Sequence, residues 1–258
     1  MNPSAEGQDR RQILQQGTGR VETLPTGLRL LRSSATEREY SNAQVGDAAD
    51  ALGWRPPLTV TVRARFSHPV ALLRGTAGFG FWNAALGPGV RSLHPPRAVW
   101  FFFGGPPHDV PLALGVPGHG FKAAILDAHH LWFFALLPAA PIGFLLMRVP
   151  TLYRRLWPLA QRAIGVEEAS LVGVDLTAPH TYTLHWEPGK ATFAIDERTV
   201  LTTRTAPPGP LHFVAWIDNS YAIATPRGHF GVGLVAEDRS QWVDLEEVRI
   251  EPGVTDNR

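Results

Sequence analysis

The chain has 258 residues, 44% of them hydrophobic and 18% charged, enough for one sizeable domain with a core of its own. Lys plus Arg is 24 against 23 for Asp plus Glu, and a net charge of +1 provides no long-range attraction to a polyanion, so a nucleic-acid partner is not expected. No cysteine is present, which excludes a disulfide framework, thiolate metal ligation and a cysteine nucleophile.

Met1 to Arg20 is polar, with Gln-Gln and Arg-Arg pairs and no apolar run. It reads as a mobile tail without a secretory signal, which makes a cytoplasmic location the default. Residues 21–252 are expected to form a single all-β domain, followed by a short tail over 253–258. The clearest strand is Leu58 to Phe66, where Leu58, Val60, Val62, Ala64 and Phe66 face one way and Thr59, Thr61, Arg63 and Arg65 the other. Further strands are expected over 27–32, 76–82, 98–103, 181–186, 191–195, 211–217, 228–235 and 242–250. Between two of them, Glu187-Pro-Gly-Lys190 is a hairpin turn. In 242–250 the apolar parity switches between Val243/Leu245 and Val248/Ile250, which predicts a β-bulge near Glu246 and Glu247.

One region breaks this rhythm. Leu131 to Met147 holds 17 residues without a charge, and Leu152, Leu156, Leu159 and Ala163 then recur at helical spacing. Pro150 suits a helix start, Gly165 a C-terminal cap, and Pro158 is expected to split or kink the helix. We read about 122–175 as a helical, hydrophobic insertion. Pro138 and Pro141 interrupt the apolar run, so a membrane span is not expected. A lid, a homodimer contact through 131–147 or a membrane-surface contact is.

His180-Thr-Tyr-Thr-Leu-His-Trp-Glu-Pro-Gly-Lys-Ala-Thr-Phe-Ala-Ile-Asp196 resembles the signature hairpin of concanavalin A-like jelly rolls, in particular the laminarinase-like glycoside hydrolases. The strand Arg63 to Phe66, Gly78-Phe-Gly-Phe-Trp-Asn83 and the closing strand Asp244 to Glu251 fit the same pattern. The resemblance implies a two-sheet jelly-roll sandwich. It also implies a carboxylate strand of the form E-x-D-x-x-E, which is missing: the corresponding region, Arg97 to Ala124, contains only Asp109. A retaining mechanism needs two carboxylates about 5 Å apart. Glu246 falls where that family often has an aspartate for a structural calcium.

Candidate site residues follow from strand parity and from aromatic clusters. Trp216 and Asp218 share one face of their strand, where Trp216 would stack on a ligand and Asp218 or Asn219 would fix its polar end, with Tyr221 nearby. The competing reading makes Asp218-Asn-Ser220 only the turn that follows. Trp82, Asn83 and Trp100 would line the same cleft. Asp127 would orient His129, in the pair His129-His130, as an acid or base; the competing reading is a structural pair. Asp218, Asp127 and His129 are thus the catalytic candidates, and no metal or cofactor is expected. The leading functional reading is binding of a largely apolar small molecule, with non-hydrolytic conversion such as cyclisation or isomerisation, in an aromatic cleft roofed by the insertion. The alternatives are a carbohydrate-binding or carbohydrate-cleaving jelly roll and a peripheral membrane protein.

Overall fold

The computed structural model describes residues 11–48, 52–83, 95–129 and 131–253. In chain order the strands are β1 Arg11–Gln16, β2 Gly19–Leu24, β3 Gly27–Arg32, β4 Asn42–Asp47, β5 Leu58–Phe66, β6 Thr76–Trp82, β7 Arg97–Gly104 and β8 Gly120–Asp127. Helices α1 Leu131–Leu136, α2 Ala140–Leu146 and α3 Pro150–Ile164 follow, with a short 3₁₀ turn, Leu137–Ala139, between the first two. The chain then returns to β9 Val166–Ser170, β10 His180–Glu187, β11 Lys190–Ile195, β12 Arg198–Thr203, β13 His212–Asp218, β14 Ser220–Ala224, β15 Phe230–Leu234 and β16 Gln241–Pro252.

Two seven-stranded antiparallel sheets form a sandwich. One runs β1-β4-β13-β6-β7-β8-β9, the other β12-β11-β10-β5-β16-β3-β2, and β14-β15 is a separate ribbon. The alternation in β5 has the expected consequence: its apolar residues are buried and its Thr and Arg residues half-buried. Tyr182 of β10 sits at the centre of the core, with Phe79 and Phe101 edge-on at 5.0 and 5.2 Å between ring centroids. Such edge-to-face pairs add to simple burial because the positive ring edge meets the negative face. The hairpin at Glu187–Lys190 joins β10 to β11, with Gly189 at φ 69°. Pairing of β16 with β5 slips between Leu245 and Glu247, so one strand serves the core on both sides of the bulge, as its parity switch predicts.

Two boundaries differ from expectation. Residues 11–20 are not tail: β1 pairs with β4 and β2 with β3, so the hairpin they form adds an edge to each sheet. Edge strands have one solvated side, which is why their polar sequence hid them. The insertion is also narrower than 122–175, because β8 and β9 are sheet members and helix is confined to 131–164. On β8 the outward positions after Lys122 are the apolar Ala124 and Leu126, which blurs the alternation that would have marked the strand. Helix α3 runs unbroken through Pro158 and ends at Gly165, which adopts the left-handed conformation (φ 65°) favoured by glycine. Trp157 and Ala163 are its buried residues, while Leu159 is exposed.

Candidate functional site

On β13 the side chains of Phe213, Ala215 and Ile217 enter the core between the sheets. His212, Val214, Trp216 and Asp218 therefore occupy the outer face of the first sheet. Register carries this face across the neighbours: Trp216 lies opposite Gly78, Gly78 opposite Phe102, Gly80 opposite Trp100, and Trp82 opposite His212. Glycine at positions 78 and 80 leaves β6 bare between two aromatic strands. The indoles of Trp216 and Trp100 meet across it at 5.4 Å between centroids, and Trp82 stacks on Trp216 at 6.5 Å and 10°. A Cβ added at Gly78 would lie 3.0 Å from the Trp216 ring, so the missing side chain is what lets the indole settle there. Phe102 extends the cluster, 5.4 Å from Trp100 and 6.0 Å from Trp216. Trp82, Trp100 and Phe102 are half-buried, whereas Trp216 is nearly covered. The amides of Gln12 and Gln44 lie on the same face toward the β1 edge.

The polar candidates are mostly occupied with the protein itself. Asp218 is buried and accepts hydrogen bonds from the Thr76 hydroxyl (2.9 Å), the Ser220 amide and hydroxyl (each 2.9 Å) and the Tyr40 hydroxyl (3.1 Å). Burial raises its pKa, and these donors pull the other way. Trp216 Nε1 donates to the Thr76 hydroxyl (2.9 Å), so indole, threonine and carboxylate form one relay. Asn219 is fully buried: its Oδ1 accepts from the Ser41 amide and its Nδ2 donates to the carbonyls of Thr36 and Glu39. Both residues thus hold a corner of the sandwich, and the turn reading describes them better than a ligand contact does. Tyr221 lies over Gly233 in the β14–β15 ribbon. Asn83 closes the β6–β7 connection, donating to the Pro95 carbonyl and accepting from the Arg97 amide.

The three catalytic candidates do not converge. Asp218 lies level with Thr76 and Gly104, whereas Asp127 pairs with Arg97 at the other end of β7. The strand's eight residues separate the two levels by about 23 Å. Asp127 accepts from Arg97 Nε (2.7 Å) and from the His129 amide (3.4 Å), while the His129 side chain is exposed. His130 lies outside the described residues. Glu246 is an ion-pair partner of Arg63 (2.7 Å).

Sequence reasoning missed a buried pair on the same outer face. Lys122 Nζ donates to Glu168 Oε2 at 3.0 Å, and Glu168 Oε1 accepts from the amides of Leu112 and Ala113 (2.8 and 2.9 Å). Burial lowers the Lys122 pKa, opposed by Glu168. Nearby His108 is held down to about 4 by burial, then by Lys122 and His119, and its Nδ1 accepts from the Ala222 amide (3.3 Å). Only the pairing of β8 with β9 brings Lys122 and Glu168 together, a contact 46 residues apart that no local pattern announces. Four strand spacings separate Glu168 from Asp218, about 19 Å, far beyond the separation of a retaining carboxylate pair. The outward positions of β7 are Ala98, Trp100 and Phe102, none of them an acid. Two open depressions, of about 400 and 640 Å³, lie away from this face, beside His185–Lys190 and beside Leu171–Asp175.

The segment expected to roof the cleft turns outward instead. Leu131, Trp132, Ile142 and Leu145 are exposed, and among residues 131–147 only Met147 is buried.

The sandwich topology and the strand order define a concanavalin A-like jelly roll. No family model matches the sequence, and no curated protein matches it. Among solved structures, the chain is similar to Crh5 transglycosylase in complex with NAG, at 12% identity and a TM-score of 0.51, over 97% of this chain and 82% of that one. It is also similar to the Emp47p carbohydrate recognition domain (10%, 0.49, covering 95% and 90%) and to a prokaryotic beta-1,3-1,4-glucanase (lichenase) derived from a mouse hindgut metagenome (12%, 0.48, covering 90% and 83%). At these identities the likeness is one of fold.

Proposed function

We propose that the protein binds a glycan, without hydrolysing it, on the outer face of the first sheet. The observation that carries this reading is the half-buried aromatic cluster of Trp82, Trp100 and Phe102 backed by the nearly covered Trp216. Flat, rigid aromatic rings present a large apolar area to the C–H faces of a pyranose at little entropic cost, while amides at the rim accept and donate to hydroxyls. Gln12 and Gln44 are placed to do this. The name of the Crh5 transglycosylase structure accords with a glycan ligand for this fold. Hydrolysis is disfavoured because the two buried acids of the face, Asp218 and Glu168, are far apart and already hydrogen-bonded. Conversion of an apolar small molecule draws no support from an insertion whose side chains face solvent.

Affinity electrophoresis through gels containing laminarin, mixed-linkage glucan or a chitin oligosaccharide tests the proposal. Retardation by at least one glycan is expected, lost in Trp100→Ala with no release of reducing ends from any of them. Absence of retardation by all three, or retardation unchanged in Trp100→Ala, would overturn it.

A further inference from the structure

An apolar surface stands apart from the aromatic face. Helices α1 and α2 bury no residue, and Leu131, Trp132, Ile142 and Leu145 are 81%, 71%, 64% and 62% exposed. The tip of the β14–β15 ribbon joins them, with Phe230 64% and Val232 84% exposed. Two contacts weld these distant segments into one surface: Phe144 against Phe230, 5.2 Å between centroids, and Arg148 Nε donating to the Arg227 carbonyl at 3.3 Å. Soluble proteins rarely leave so much contiguous apolar area uncovered unless it meets a partner.

The charges that these segments themselves carry have one sign. Neither 128–166 nor 219–236 contains Asp or Glu, whereas Arg148, Arg154, Arg155, Arg162 and Arg227 are all exposed. These five exceed the net charge of the whole chain, +1, so the rest of the protein is net acidic, and the positive excess arises because these segments carry no acid.

We propose that this surface docks on an anionic lipid bilayer, with α1 and α2 lying in the headgroup plane and Phe230 and Val232 reaching in beside them. Apolar side chains with basic neighbours on short helices are the composition of an interfacial contact, and Trp132 suits the boundary between hydrocarbon and water. A span is ruled out for these helices, since no helix among the described residues is long and apolar enough to cross a membrane. A second copy is a poorer occupant. A two-fold contact would set the patch against itself and bring arginine toward arginine with no acid in either segment to compensate. The proposal does not depend on the glycan reading.

Co-sedimentation of the full chain with sucrose-loaded vesicles tests it, using phosphatidylcholine alone and phosphatidylcholine with about one third phosphatidylglycerol. Binding to the anionic vesicles only, weakened by high salt, is expected. Arg148→Gln and Arg227→Gln should each weaken it about fivefold, the contribution of one basic residue near such a surface. Trp132→Ser combined with Phe230→Ser should abolish it while circular dichroism shows the fold retained. Failure to bind anionic vesicles, equal binding to neutral ones, or a dimer in sedimentation equilibrium that Leu145→Asp dissociates would each overturn the proposal.

Discussion

Removing the acid of the Lys122–Glu168 pair should destabilise the fold more than any truncation on the protein surface. Side-chain exposure is 3% for Lys122 and 1% for Glu168, so Glu168→Ala leaves an ammonium group shielded from water, with only the more distant Asp109 as counter-charge. The same change deprives the amides of Leu112 and Ala113 of their acceptor. Breaking a buried pair from one side costs about 3–5 kcal/mol. With a urea m-value of about 3 kcal/mol/M, the midpoint should fall by roughly 1–1.7 M. Glu168→Gln keeps an acceptor for the two amides but not the charge, and should fall between parent and Glu168→Ala. Lys122→Met combined with Glu168→Gln removes both charges and should recover most of the loss, to within about 1 kcal/mol of the parent. The deficit of Glu168→Ala also has a pH signature. The folded-state pKa of Lys122 is already lowered by burial, and loss of Glu168 lowers it further. Between that value and the unfolded one the unfolded chain holds more protons, so stability rises with pH. The deficit should therefore shrink from pH 7 toward pH 10. Urea unfolding followed by tryptophan fluorescence reads these three variants and Lys122→Met alone, which closes the cycle. A loss below about 1 kcal/mol for Glu168→Ala, or a double variant no better than the sum of the singles, would refute the account of a shielded, mutually compensating pair.

His108 is neutral in the fold and held down to about 4, so below its unfolded value of 6.5 the unfolded chain takes up the proton first. The His108 contribution to stability should be level above pH 6.5 and drop by about 3 kcal/mol on acidification through pH 4, and urea midpoints of His108→Gln should lack this component. Gly78→Ala places a methyl group against both the Phe101 carbonyl and the Trp216 ring, and should lower the melting temperature and weaken glycan retardation together; an unchanged glycan affinity would separate Trp216 from the binding surface. Asn219→Ala strands the Ser41 amide and the carbonyls of Thr36 and Glu39, and a loss of about 3 kcal/mol is expected by urea unfolding; a loss under 1 kcal/mol would mean that water replaces the amide there.

The amino-acid sequence by itself determined what depends on neighbours along the chain. Side-chain alternation is a property of an extended backbone, so β5 was legible residue by residue, and so were the Pro-Gly hairpin and the bulge of β16. Parity also showed that Trp216 and Asp218 share a face. It could not show whether that face is open, because cover comes from residues far away in sequence. Tyr40 and Thr76, 178 and 142 residues distant, turn Asp218 from a cleft acid into a structural anchor. The edge strands β1 and β2 were hidden for a related reason, since pairing with β4 and β3 supplies the order that their polar side chains do not. The same holds for the candidate site: the indoles were countable in the sequence, but only packing across the glycine strand β6 gathered Trp82, Trp100 and Trp216 into one surface. Alternation is dictated locally, whereas burial and the meeting of charges are dictated by which strands become neighbours, and that was decided by the tertiary fold.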